Sequence, residues 1–317
     1  MTLTKEQHDG FVRDGFVVVP EVFDRPQMQA ALAETEKITY GCSYAEVLVK
    51  HDERDEPFQM ASARSQFPCG VPVLDCLLEN ERYLGMYADC LGDEEPSYGN
   101  GHLFVRSALS DRPHGCYHVD HDTNSFLPPS HERGSYEYVN SWIFLHDVEA
   151  DGAPLQVIPG SHRQWPEILP RLIEQNLFEP RSSFLDVSKV PEFAAPISVT
   201  AKAGSALFYS SYLVHSAIAF ENARAQRAVW TMSLVRGDNR SWAKFSNVWN
   251  YAEREYSAPF FARTTPRVRS LFGWPPPGHS YYTPQTLELL AHWFPGIDLD
   301  PYSKAAKTSF LTFSNAR

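Results

Sequence analysis

Cys116-Tyr117-His118-Val119-Asp120 is the stretch on which the reading of this chain turns, taken together with a histidine far downstream, His215. In extended backbone, successive side chains leave on opposite faces, so His118 and Asp120 share one face and Val119 takes the other. An imidazole and a carboxylate aimed at one spot are two of the three ligands of a 2-His-1-carboxylate set. Such a set holds Fe(II) and leaves positions open for other ligands. A bare His-x-Asp is also what a solvated pair at a strand end looks like, so the rest of the sequence has to decide.

Around that stretch the chain reads as short strands separated by turns, at 98–107, 116–120, 138–146, 154–158, 196–201, 205–210 and 227–235. Pro159-Gly160-Ser161-His162 and Ala203-Gly204-Ser205 are the turns that punctuate it most clearly. Many short strands at this spacing predict a sandwich or jelly roll. Upstream the pattern is helical. Thr4 caps a short helix through Arg13, Gly15 ends it, and Phe16-Val17-Val18-Val19 is a strand stopped by Pro20. Asp24-Arg25-Pro26 opens a second helix, with Met28, Leu32, Thr35 and Ile38 at roughly helical spacing. Residues 41–70 read as an irregular rim. From Val71 to Leu91 the apolar residues recur at helical spacing until Gly92-Asp93-Glu94-Glu95-Pro96 stops them. The tail is aromatic and proline-rich and offers one more helix, Thr283 to Phe294, with Pro284 at its first position. Without repeat or linker, 1–317 is expected to be a single domain: a helical part to about 95, a core over about 96–240 and a C-terminal extension over 241–317.

Composition narrows the function classes. With 317 residues, 43% hydrophobic and 21% charged, the chain suits a globular protein with a large core. A net charge of -11 disfavours nucleic acid and anionic membrane as partners. No apolar run approaches the roughly 20 residues of a membrane span, and the N-terminus lacks a signal-peptide pattern. Five cysteines without a C-x-x-C pair argue against a disulfide framework and a thiolate zinc site. A reducing cytoplasm is the expected compartment.

A set of motifs in order now adds to the His-x-Asp. Phe11-Val12-Arg13-Asp14-Gly15-Phe16-Val17-Val18-Val19-Pro20 precedes it, and Asp151-Gly152-Ala153-Pro154-Leu155-Gln156-Val157-Ile158-Pro159-Gly160-Ser161-His162 follows. Then come Gly204-Ser205-Ala206-Leu207-Phe208, His215, Arg227 and the tail Leu271-Phe272-Gly273-Trp274-Pro275-Pro276-Pro277-Gly278. Together these resemble the phytanoyl-CoA dioxygenase family of iron(II)/2-oxoglutarate oxygenases, across most of the chain. The resemblance implies a double-stranded β-helix, a cupin-like jelly roll, mainly β with flanking helices. It implies His118, Asp120 and His215 as iron ligands, with 2-oxoglutarate as co-substrate and O2 as oxidant.

The same resemblance implies an arginine for the distal carboxylate of 2-oxoglutarate, which a guanidinium meets with paired charge-assisted hydrogen bonds. Arg227, twelve positions after His215, opens a strand whose alternation aims it inward with Val229 and Thr231. Arg224, the rival, falls in the preceding turn. Trp142 matches a tryptophan that lines the co-substrate pocket in some relatives, and equally suits a core aromatic. Arg106 stands where relatives carry a basic co-substrate contact. His121 reads as a solvated rim residue, with contact to substrate as its alternative, Ser161 and His162 as turn residues, and His114 and His146 as structural. The segment from His121 to Tyr138 is long and polar enough to be a lid.

The implied reaction is hydroxylation of a C–H bond of a small molecule, releasing succinate and CO2. Desaturation, epoxidation or epimerisation would use the same triad, and an inactive cupin-like binding protein is the alternative from another class. Because Asp120 fills the position that related halogenases leave to a small residue, halogen transfer is not expected. The substrate itself is not legible.

Overall fold

The computed structural model describes residues 1–53, 66–110, 116–121, 129, 137–179, 184–238, 259–272, 274–279, 282, 287, 290, 291 and 294–303. The chain opens on helix α1 (Lys5–Asp14), where Thr4 and Gln7 form a reciprocal capping box. Gly15 closes the helix at φ 85°, and strand β1 (Phe16–Val19) follows at once. A Cβ on Gly15 would lie 2.4 Å from Nδ1 of His162, so the corner needs glycine for both its conformation and its space. The Pro159–His162 signature therefore packs on the α1–β1 corner, and Gly160 N–H donates to the Asp14 carbonyl at 2.8 Å.

Helix α2 (Arg25–Tyr40) starts on an Asp24 cap. Helix α3 (Tyr44–Glu53) corrects the expectation of an irregular rim over 41–70. Its sequence is polar because only Tyr44 and Val47 are buried, which hides the helical period. Residues 54–65 of that stretch lie outside the described residues. The single helix read over 71–91 is three pieces: α4 (Pro72–Asp75), a 3-10 turn (Cys76–Glu79) and α5 (Glu81–Leu91). Asn80 breaks the run by capping α5 with its side chain.

The β part runs β2 (Ser97–Ser107), β3 (Tyr138–Phe144), β4 (Leu155–Val157), then after a helix two short strands, β5 (Phe178–Glu179) and β6 (Phe184–Leu185), then β7 (Ile197–Val199), β8 (Ala206–Ser210), β9 (His215–Ala217) and β10 (Gln226–Val235); β2, β3, β4, β7, β8 and β10 match expected strands, and β5, β6 and β9 are additional. Helix α6 (Ser161–Glu174), between β4 and β5, is an addition to the expected elements; Trp165, Leu169 and Leu172 recur at helical spacing, but Pro166 and Pro170 inside it are residues that ordinarily break a helix. The expected strand 116–120 is reduced to two single bridges, Tyr117 to Leu185 and His118 to His215. Helix α7 (Pro266–Leu271) begins the described tail. Of the helix expected over 283–294, most falls outside the described residues; Leu287, Leu290 and Ala291 are helical.

Two antiparallel sheets face each other, in orders β1-β8-β3-β10-β2 and β7-β4-β9. The His118 segment adds to the free side of β9. This is the expected jelly roll, mainly β with flanking helices. β3 is buried along its whole length because both faces are covered. Val139 and Ile143 face outward onto the N-terminal helices, in one core with Phe11, Leu84, Phe208, Ala228 and Trp230. Trp142, Phe144, Leu207, Tyr209 and Val229 face inward against Leu155, Val157 and Val199 of the small sheet. A third core seats Trp165, Leu169 and Leu172 of α6 on the back of the small sheet, with Val119 and Val214. The alternation read for 118–120 therefore holds: Val119 packs outside while its two neighbours look in.

Candidate active site

Paired backbone bonds, His118 N–H to the His215 carbonyl and the reverse, both at 3.0 Å, set the two histidines side by side. Their rings lie 4.4 Å apart. Nδ1 of His118 is 3.0 Å from the Cys116 carbonyl, and Nδ1 of His215 is 2.9 Å from the Leu213 carbonyl. A carbonyl can only accept, so each Nδ1 carries the proton and each Nε2 keeps its lone pair. Both Nε2 atoms stand 3.6 Å from oxygens of Asp120, Oδ1 for His118 and Oδ2 for His215. That is beyond hydrogen-bond length. One donor atom from each of the three residues lies within 4.8 Å of the others, a span one cation can bridge.

The electrostatics suit a cation. Burial disfavours the Asp120 anion, but the flanking His215 and His118 and the Tyr209 hydroxyl outweigh it and hold the carboxyl at about 2. Burial pushes His215 down to about 4, against the pull of Asp120, so its imidazole is neutral. Burial lowers His118 as well, yet Asp120 and the Cys116 carbonyl raise it overall. A carboxylate and two lone pairs directed inward form the donor set of a borderline metal such as iron.

On the same inner face, Arg227 is fully buried. Its guanidinium carbon lies 4.7 Å from the Trp142 ring centre and 5.0 Å from that of Phe104, and Nη1 donates to the Ala153 carbonyl. Ala153 takes φ 54°, so the Gly152-Ala153-Pro154 signature bends the backbone to aim that carbonyl at the guanidinium. Arg224 lies elsewhere, exposed and paired with Asp52 at 2.9 Å. Arg106 is Arg227's cross-strand neighbour in the register; its Nη1 donates to the Ile218 carbonyl at 2.8 Å and it covers the Phe220 ring. Trp142 is buried in the core with its ring against Arg227.

His121 corrects the expectation of a solvated rim residue. Its backbone N–H bonds the Ser211 carbonyl and its ring is fully buried, 4.7 Å from the Tyr212 ring. His146 is structural as expected, its Nε2 accepting from Ala228 N–H at 3.0 Å. His114 and most of the lid segment lie outside the described residues. Four inner-face residues escaped the sequence reading: His102, Asn140, Tyr209 and Ser233. Asn140 donates to Asp120 Oδ2 at 2.6 Å, and Tyr209 donates to the same oxygen at 3.3 Å. His102 stands on the rung of Thr231 and Trp142, with Nδ1 3.1 Å from the Thr231 hydroxyl. The available signal was an asparagine inside a mostly apolar strand, whose amide a buried site has to satisfy.

A jelly roll with an inward His–Asp–His cluster and a buried arginine on the same inner face has the features of the non-haem iron oxygenases. The sequence model of the family described as Phytanoyl-CoA dioxygenase (PhyH) matches residues 11–228, and the chain belongs to that family, whose members are 2-oxoglutarate-dependent. The ectoine dioxygenase of Bordetella bronchiseptica is 24% identical over 238 residues, 67% of this chain and 69% of that one. The crystal structure of EctD from S. alaskensis with bound Fe superposes with a TM-score of 0.51 at 19% identity, over 76% of this chain and 79% of that one. The epimerase SnoN, solved in complex with Fe3+, alpha ketoglutarate and nogalamycin RO, gives 0.51 at 17% identity, over 73% and 83%. At such identities the structural likeness establishes the fold.

Proposed function

We propose that this chain hydroxylates a C–H bond of a small molecule, with His118, Asp120 and His215 holding Fe(II) and Arg227 seating 2-oxoglutarate. The observation that carries the reading is the convergence of two Nε2 lone pairs and one carboxylate within a single ion's reach. Iron, bound with 2-oxoglutarate and O2, supplies the oxidation, in which succinate and CO2 are released and one oxygen atom goes to the substrate. The protein's own residues do the rest. Nδ1–H bonds to backbone carbonyls keep the two imidazoles turned toward the metal. The Arg227 guanidinium offers a planar pair of donors to the distal carboxylate of the co-substrate. Trp142 and Phe104 cover its faces and exclude water, which strengthens the charged bond. Arg106 adds positive charge at the same depth.

Purified protein supplied with Fe(II) should release succinate from 2-oxoglutarate. His118→Ala and His215→Ala should each stop that release and abolish iron binding, with folding retained. Stoichiometric iron and full turnover in His118→Ala would disprove the assignment. The substrate follows from screening small molecules for stimulated succinate release.

A further inference from the structure

β3 is buried from end to end, yet it carries Asn140 in its middle. The register sets Tyr209 of β8, Asn140 of β3 and Ser233 of β10 on one rung across the large sheet. All three are buried, and the rung lies against Asp120. The Ser233 hydroxyl donates to Asn140 Oδ1, and the Asn140 amide donates through Nδ2 to Asp120 Oδ2. That chain assigns the amide: turned over, Asn140 would set its carbonyl oxygen against a carboxylate oxygen. The Tyr209 hydroxyl reaches the same oxygen from the opposite side of the rung.

We infer that Asn140, braced by Ser233 and aided by Tyr209, is a positioning residue that decides which oxygen Asp120 offers to the metal. The Asn140 and Tyr209 hydrogen bonds fall on Oδ2, so they draw electron density from that oxygen and restrain rotation of the carboxylate. Asp120 then binds through Oδ1 alone. A carboxylate that turned to bind through both oxygens would occupy a position required by 2-oxoglutarate or O2. The inference rests on the iron assignment above and adds to it a residue that does not touch the metal.

Asn140→Leu keeps the volume and removes the donor. In the full-length protein it should bind Fe(II) roughly 10–100-fold more weakly, as loss of an outer-shell partner does. The visible absorption of the Co(II)-loaded protein, which reports coordination number, should change with it. Ser233→Ala should shift both readouts the same way by less. The double variant should be no worse than Asn140→Leu, because Ser233 acts through Asn140. Wild-type Fe(II) affinity and an unchanged Co(II) spectrum in Asn140→Leu would overturn the inference. Should that variant fail to fold, the same null result in Ser233→Ala would do so. His118→Ala separates the levels: if it abolishes iron binding while Asn140→Leu has no effect, only the positioning role fails, and if it too binds iron normally, the iron assignment fails.

Discussion

Arg227 is the residue whose burial most needs a reason, since a guanidinium leaves water at a high cost unless it is paired. Its Nη1 meets the Ala153 carbonyl and its faces meet two aromatic rings, an arrangement suited to a carboxylate ligand. Arg227→Met should therefore raise the KM for 2-oxoglutarate steeply, since a lost charged bond to a buried carboxylate costs on the order of 2–5 kcal/mol. Arg224→Met should leave that KM unchanged, because Arg224 is exposed and its ion pair with Asp52 lies outside the site. A large effect at Arg224 with none at Arg227 would reverse the choice. Steady-state kinetics against 2-oxoglutarate decide it. The strand period made the inward face of Arg227 legible in the sequence. The polar rung under Asp120 was not, because register between strands far apart in the chain is a property of the folded sheet.

Among the elements, the α1–β1 corner and helix α6 carry the clearest tests. Gly15→Ala meets both a disfavoured φ and the His162 ring, so it should destabilise the fold by more than about 1 kcal/mol. The midpoint of chemical denaturation should fall, while iron-dependent succinate release under native conditions persists. An unchanged midpoint would mean that the corner yields without cost. Trp165 on α6 is fully buried, with its ring edge-on to Phe178 at 5.1 Å. Trp165→Ala should cost about 3–5 kcal/mol, read by the same denaturation curve. A loss below about 1 kcal/mol would show that the back of the small sheet does not depend on this helix.

On the scale of the whole molecule, the two sheets close over one interior, and the His118 segment is held to it by bridges to β9 and β6. On the proposed iron assignment, Asp120 takes the position a halide would need, and a carboxylate both fills a coordination position and disfavours a second anion. Turnover of the true substrate in concentrated chloride should therefore give an oxidised product without chlorine, and labelled O2 should place label in a hydroxylated one. Mass spectrometry of the product checks both, and a chlorinated product would sink the reading. No helix among the described residues is long and apolar enough to cross a membrane, and none of the five cysteines is bonded to another.

The sequence by itself determined β1, β2, β3, β4, β7, β8 and β10, the inward pair at 118 and 120, the turn at Gly15 and the family, because each follows from local period, turn chemistry or motif order. Only the tertiary structure decided that His118 lies beside His215, that His121 is buried, and that Ala153 faces Arg227. It also decided that Tyr209, Asn140 and Ser233 line up under one carboxylate. The physical reason is that these contacts join strands distant in the chain, whose alignment is set when both faces of the large sheet are buried at once.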